Sequence, residues 1–294
     1  MNFMDLKTTE ALPVIKSIPT HQAVAREVLN ICSRPEIDIS HFIRLISSDQ
    51  ILSAQILKVA NSSLYNFSRM IPSLDRAMVV LGFNIVKEIS LALALNSVFQ
   101  GLQSGNATAV NYLWKHSLQV ALIMKVIAEK YDSENKELLY FSGLLHDVGK
   151  VIILSSFDQE YSLLIEKSLQ ENSRLLELEK KYLGVDHSDI GGRLLDEWEI
   201  PISIALLTRY HHRPEEYKSG EKIDFSIRLI YLGNLLAHLH ERQLSRHSDL
   251  VTIEPNFKDY LSISEKEFGR LLQAVSREIE GQSQFIKLFE ANQV

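Results

Sequence analysis

Cysteine is nearly absent from these 294 residues: Cys32 stands alone, so no internal disulfide forms, and it reads as a small buried apolar residue. Positive charge is in deficit, with 31 Lys and Arg against 37 Asp and Glu, a net charge of -6. That balance gives no electrostatic reason to expect nucleic acid. No uncharged apolar run is long enough to span a bilayer; the best, residues 77–99, is broken by Asn84, Lys87 and Glu88. The first ten residues hold no basic segment followed by an apolar run, so no secretory signal is visible, and no membrane partner is expected. A cytoplasmic protein is the expectation. Also missing are glycine-rich phosphate loops, repeats of fixed period, low-complexity tracts and alternating β-branched runs with hairpin turns.

What is present is helical periodicity. Val24, Val28, Leu29 and Cys32 make one stripe, and Phe42, Ile43, Leu45 and Ile46 another, entered through Asp38 or Ser40. Ser48-Asp49 caps an apolar helix from Gln50 to Ala60. Ser73 starts a helix stopped at Gly82, and Asn84 starts one stopped at Gly101. Further helices are predicted at roughly 109–131, 134–148, 158–171, 173–183, 187–198, 202–211, 224–242 and 264–290. The fold class is therefore all-α. The polar, small-residue stretch 101–108 is the one plausible seam, dividing the chain into 1–104 and 105–294. The charged run 166–182 reads as a solvated helix face.

The stretch Gly143-Leu-Leu-His146-Asp147-Val-Gly-Lys150 carries the chemistry. An imidazole nitrogen and a carboxylate oxygen in neighbouring positions, at the end of an apolar helix, suit a borderline transition metal. Elsewhere His116, His187 and the doublet His211-His212 each interrupt an apolar helical pattern. Against these stands the plainer reading of a polar helix end and hydrogen-bonded core histidines. His21, His41, His238, His240 and His247 have no partners at ligand spacing and read as surface or core residues. Lys150 is either a solvated lysine or a grip for a phosphate.

Taken together, Ile56-Leu-Lys-Val-Ala-Asn-Ser-Ser-Leu-Tyr65 and Ile71-Pro-Ser-Leu-Asp-Arg-Ala-Met-Val-Val-Leu-Gly82 resemble the signature of HDOD domains, the HD-related output domains of bacterial signalling. The second half resembles the HD phosphohydrolase superfamily, and its HD-GYP branch in particular. The matching pieces are Trp114-Lys-His116, His146-Asp147-Val-Gly-Lys150, His187-Ser-Asp-Ile-Gly-Gly-Arg-Leu-Leu195, Trp198-Glu-Ile-Pro201 and Tyr210-His-His-Arg-Pro214. The resemblance implies an N-terminal helical bundle packed on an HD-type helical core. It also implies a regulatory protein acting mainly through contacts with signalling proteins.

His116, His146, Asp147, His187, His211 and His212 match six of the seven HD-GYP metal positions; the seventh, a late Asp, is Asn234 here. The Gly-Tyr-Pro motif is missing as well. The resemblance thus implies a partly degenerate site holding up to one transition-metal ion (iron, manganese, zinc or nickel), with His116, His146 and Asp147 the first-filled set. The alternative is a metal-dependent phosphohydrolase acting on a nucleotide or another phosphoester, with Asp147 and Lys150 in catalytic roles.

Overall fold

Local chemistry starts the helices where the sequence places them. Asp38 accepts from His41 N at the head of α2 (Ile39–Ser48), and Asp49 from Ile51 and Leu52 N at the head of α3 (Gln50–Ala60). Ser73 caps α4 (Leu74–Leu81), which stops at Gly82, φ 85°, a conformation glycine adopts without strain. In the computed structural model, which describes residues 23–34, 36–101, 107–171, 175–241 and 263–290, all regular structure is helical.

Helix α1 (Ala23–Cys32) precedes these and lies on the long apolar α5 (Phe83–Gly101). After the predicted seam, whose residues 102–106 lie outside the described ones, come α6 (Ala107–Tyr131) and α7 (Lys136–Leu145). Then follow α8 (Val148–Ser156), α9 (Asp158–Glu171), α10 (Leu175–Leu183), α11 (His187–Glu197) and α12 (Ile202–Tyr210). The chain closes with α13 (Lys222–Glu241), α14 (Glu265–Gly281) and α15 (Ser283–Glu290). Buried apolar side chains form one cluster from Ala25 to Ile286.

Three expectations are corrected. The helix predicted over 134–148 is there as Lys136–Leu145, but a second helix, Val148–Ser156, which was not expected, follows it directly across a bend at His146-Asp147, where Asp147 has φ -105° and ψ 11°, outside the helical well. The helix predicted over 264–290 breaks at Gln282, after Gly281. The run with the length and composition of a membrane span is 133–156 rather than 77–99, and 89% of its apolar 18-residue window is buried inside the protein.

Glycines set the distances that bring the polar residues together. At Gly143 a β-carbon would sit 2.7 Å from Ala121 Cα, so α7 lies almost backbone-to-backbone on α6. At Gly149 it would sit 1.9 Å from His187 O, so α8 presses on the start of α11. The first contact brings α7, which leads into His146, onto α6, which carries His116; the second brings α8, which follows Asp147, onto the start of α11 at His187.

Candidate metal centre

Asp147 is the centre, and its side chain is fully buried. From α6, His116 Nε2 lies 3.7 Å from Asp147 Oδ2; His146 Nε2, at the bend, lies 3.3 Å from the same oxygen. From α11, His187 Nε2 lies 3.4 Å from Oδ1, and from the end of α12 His211 Nε2 lies 3.6 Å from it. His212 Nε2 is 3.1 Å from His187 Nε2. All six sequence-predicted ligands therefore meet. Two sets share Asp147, one with His116 and His146, the other with His187, His211 and His212; within each, one ligand atom per residue lies within 4.8 Å of the others.

The outer nitrogens of the rings decide what the inner ones can do. His146 Nδ1 lies 2.8 Å from Gly143 O, and His211 Nδ1 2.6 Å from Thr208 O. A carbonyl oxygen only accepts, so each Nδ1 carries the proton and each Nε2 shows a bare lone pair to Asp147. Neither Nε2 has a hydrogen bond, nor does Asp147 Oδ1, although all three atoms are buried. Acceptors facing acceptors in a dry interior are costly. A shared cation relieves the cost, and the second-sphere acceptors match those that orient metal-bound histidines. The residues fit a transition metal.

Two carboxylates complete the pattern. Glu179 Oε2 lies 2.6 Å from His187 Nδ1 and also accepts from His187 N, while its other oxygen accepts from Tyr161 OH. Glu241 Oε1 lies 2.7 Å from His116 Nδ1. Sequence reasoning missed both. Glu179 sits in the charged run read as a solvated face, yet is 0% exposed. His238, read as surface or core, stacks on the His116 ring with centroids 4.7 Å apart and lies 3.4 Å from Glu241. His238 and Glu241 follow Asn234 by four and seven residues on α13, which was the available signal; α10 carries no other site residue, and nothing marked Glu179. His41 is exposed and His240 half-buried, while His21 and His247 lie outside the described residues.

Electrostatics keep the set ready to ligate. Burial pushes the His211 imidazole down from 6.5 to about 3. His212 is held well below the usual range, by burial first and by His211 beside it. Burial works against ionisation of Asp147, yet the Lys150 ammonium beside it holds its carboxyl well below the usual carboxylate range. Lys150 is buried and donates to Asp147 Oδ2 at 2.6 Å, so its charge is already engaged. Asn234 does reach the site, its Oδ1 3.0 Å from His116 Nε2, but it brings no charge. Arg213 pins the His211-His212 turn to α11, 3.0 Å from Asp189 Oδ1 and 3.4 Å from the capping Asp186.

Comparison with known proteins identifies the family and the fold. The family profile of the HDOD domain matches residues 18–214. A Marinobacter aquaeolei structure, named as a proposed signal transduction protein, superposes with a TM-score of 0.75 at 20% identity, over 96% of this chain and 65% of that one. A Shewanella amazonensis structure, named as a proposed phosphohydrolase, gives 0.73 at 18% identity, over 96% of this chain and 97% of that one. At such identities the likeness is one of fold. The chain spans less than half of an uncharacterised Treponema pallidum protein, covering 40% of it and 69% of itself at 24% identity.

Proposed function

The chain belongs to the HDOD domain family, and on that premise we propose that it is a cytoplasmic signalling module. In this reading it acts through contacts with other proteins and keeps one transition-metal ion in its HD-like part. The N-terminal helices, residues 1–104, make the contacts, and residues 105–294 hold the ion.

The observation that carries the reading is the setting of Asp147. Imidazoles surround it, and those of His146 and His211 turn unbonded nitrogens inward, which suits a metal. Yet His146, Asp147 and His211 are 0% exposed, and His116 and His187 are 2% and 1% exposed. A phosphoester has little surface to approach. Lys150, which would grip a phosphate, is spent on Asp147, and Asn234 cannot act as a base. The contact role draws support from exposed apolar side chains: Ile39, Ile51, Phe67, Met70 and Val79 all lie between residues 39 and 79. The net charge of -6 fits protein partners better than nucleic acid.

The second reading, a phosphohydrolase of small phosphate compounds, is favoured by the bare Asp147 Oδ1, His146 Nε2 and His211 Nε2. A bound ion would supply Lewis acidity and a water acidic enough to ionise near neutral pH. Elemental analysis, followed by a phosphoester screen of the metal-loaded protein, separates the two. We expect a copurifying ion and no turnover that depends on Asp147. We also expect serine at Ile51, Met70 and Val79 to abolish the cellular phenotype without lowering the melting temperature. Turnover that vanishes in Asp147→Asn would put the hydrolase first.

A further inference from the structure

A cleft of about 220 Å³ opens where the two halves of the chain meet, and none of the six candidate metal ligands lines it. Helices α1 and α5 form one wall, α6 and α7 the other. Its apolar lining is Cys32, Leu91, Tyr140 and Phe141, all buried. Burial lifts the Cys32 thiol to about 12 and holds the Tyr140 hydroxyl well above its usual range, so both stay neutral. The space is that of roughly seven water molecules, below the roughly 300–1,000 Å³ of pockets for drug-sized ligands. A nucleotide is too large for it; a small metabolite fits.

Three lysines and three glutamates surround this apolar lining, so the cleft carries no net charge. Lys87 pairs with Glu137, and Lys125 with Glu88 at 2.9 Å, each across the junction of the halves. Glu129 and Lys136, both exposed, make no ion pair among the described residues. Lys87 is the unusual member. It is 4% exposed, yet only one of its three N–H donors is spent, on Glu137. The Phe83 ring, 5.7 Å from Nζ, offsets part of the cost of burying the charge. The unmet donors remain costly, and the cleft is where an acceptor can reach them.

We propose that this cleft binds a free α-amino acid with an apolar side chain, of the size of leucine. The ligand carboxylate accepts from Lys87, and Lys136 at the rim adds a second positive charge. Glu129 receives the ammonium group, while the apolar side chain lies on Leu91, Tyr140 and Phe141. A carboxylate alone fits less well, because Glu137 and Glu88 stand beside the two paired lysines and repel it. An ammonium in the same ligand cancels that repulsion, and a zwitterion leaves the cleft as neutral as before. The ligand touches helices of both halves, so it binds them packed and not separated. As an input to signalling the site rests on the reading above; as a binding site it does not.

The test uses the full chain with L-leucine and two analogues, isocaproate, which lacks the ammonium, and isoamylamine, which lacks the carboxylate. Isothermal titration calorimetry gives the dissociation constants, and thermal unfolding checks that each variant is folded. L-Leucine should bind with a submillimolar constant and raise the melting temperature. Both analogues should bind at least about 10-fold more weakly, as should L-leucine to Lys87→Met, which keeps an unbranched apolar stem. Glu129→Gln should weaken L-leucine but leave isocaproate unchanged, a selective loss that misfolding cannot imitate. Lys222→Met, whose partner is Glu134 on the surface, is the control and should bind as the wild type does. A folded wild type that binds none of L-leucine, L-methionine and L-phenylalanine would overturn the site. Isocaproate binding as tightly as L-leucine would overturn the zwitterion. Unchanged L-leucine binding in folded Lys87→Met would overturn the assignment to this cleft. None of these results bears on the metal reading, which stands or falls with the elemental analysis.

Discussion

A β-carbon on Gly149 would lie 1.9 Å from His187 O and 2.7 Å from Gly191 N, both backbone atoms that cannot rotate away. Gly149→Ala must therefore push α8 off α11, and with it Asp147 away from His187. Overpacking of this kind costs about 1–3 kcal/mol. The urea midpoint should fall accordingly, and metal content should fall with it. Gly269→Ala in α14, where nothing lies within 4 Å, is the control; it should be neutral or gain up to about 1 kcal/mol. A Gly149→Ala protein with wild-type midpoint and metal content would show that the close approach does not position the site. At this scale the sequence was most informative. His116, His146, Asp147, His187, His211 and His212 were visible as polar residues in apolar helical patterns, and all six meet. Glu179 and Glu241 were not. Surrounded by other charges along the chain, a buried carboxylate looks the same as a solvated one; only tertiary packing removes its water.

Among the elements, α10 does more than its sequence suggested. Its charged residues read as a solvent face, yet Glu179 turns inward and has every oxygen engaged, by Tyr161 OH, His187 N and His187 Nδ1. The buried ring and the helix start it anchors are thereby fixed together. Glu179→Gln keeps the shape but removes the charge that favours a basic, well-oriented His187 nitrogen. Second-sphere changes of this type lower metal affinity about 10- to 100-fold. Titration with a competing chelator should show that drop, with Tyr161→Phe giving a smaller one. Unchanged affinity in Glu179→Gln would confine the carboxylate to a structural role. Helix limits were legible where a side chain caps them, as at Asp38, Asp49 and Ser73. The helix end at His146-Asp147 was legible too, but the immediate restart at Val148 was not, because no proline or capping bond marks it.

For the whole molecule, the seam predicted near residue 104 implies two halves, but their packing argues for one unfolding unit. Asn30 on α1 donates to Glu199 O at 3.2 Å, after α11; Glu88 on α5 pairs with Lys125 on α6 at 2.9 Å; and Lys87 pairs with Glu137 on α7. The Phe99 and Trp114 rings meet edge-on across the junction at 5.7 Å, and Trp114 is 4% exposed. Separating the halves would open an apolar surface on each, so neither gains by unfolding alone. Tryptophan fluorescence, reporting Trp114 and Trp198, and far-ultraviolet circular dichroism should therefore give coincident urea transitions for the metal-free chain. Adding an ion at 100 times its dissociation constant stabilises the folded state by about 2.7 kcal/mol. Since the ion binds only one half, a single cooperative unit requires that both signals shift together and by the same amount. A chain whose N-terminal half melted first, unmoved by metal, would make the seam a true domain boundary and confine the influence of the ion to residues 105–294.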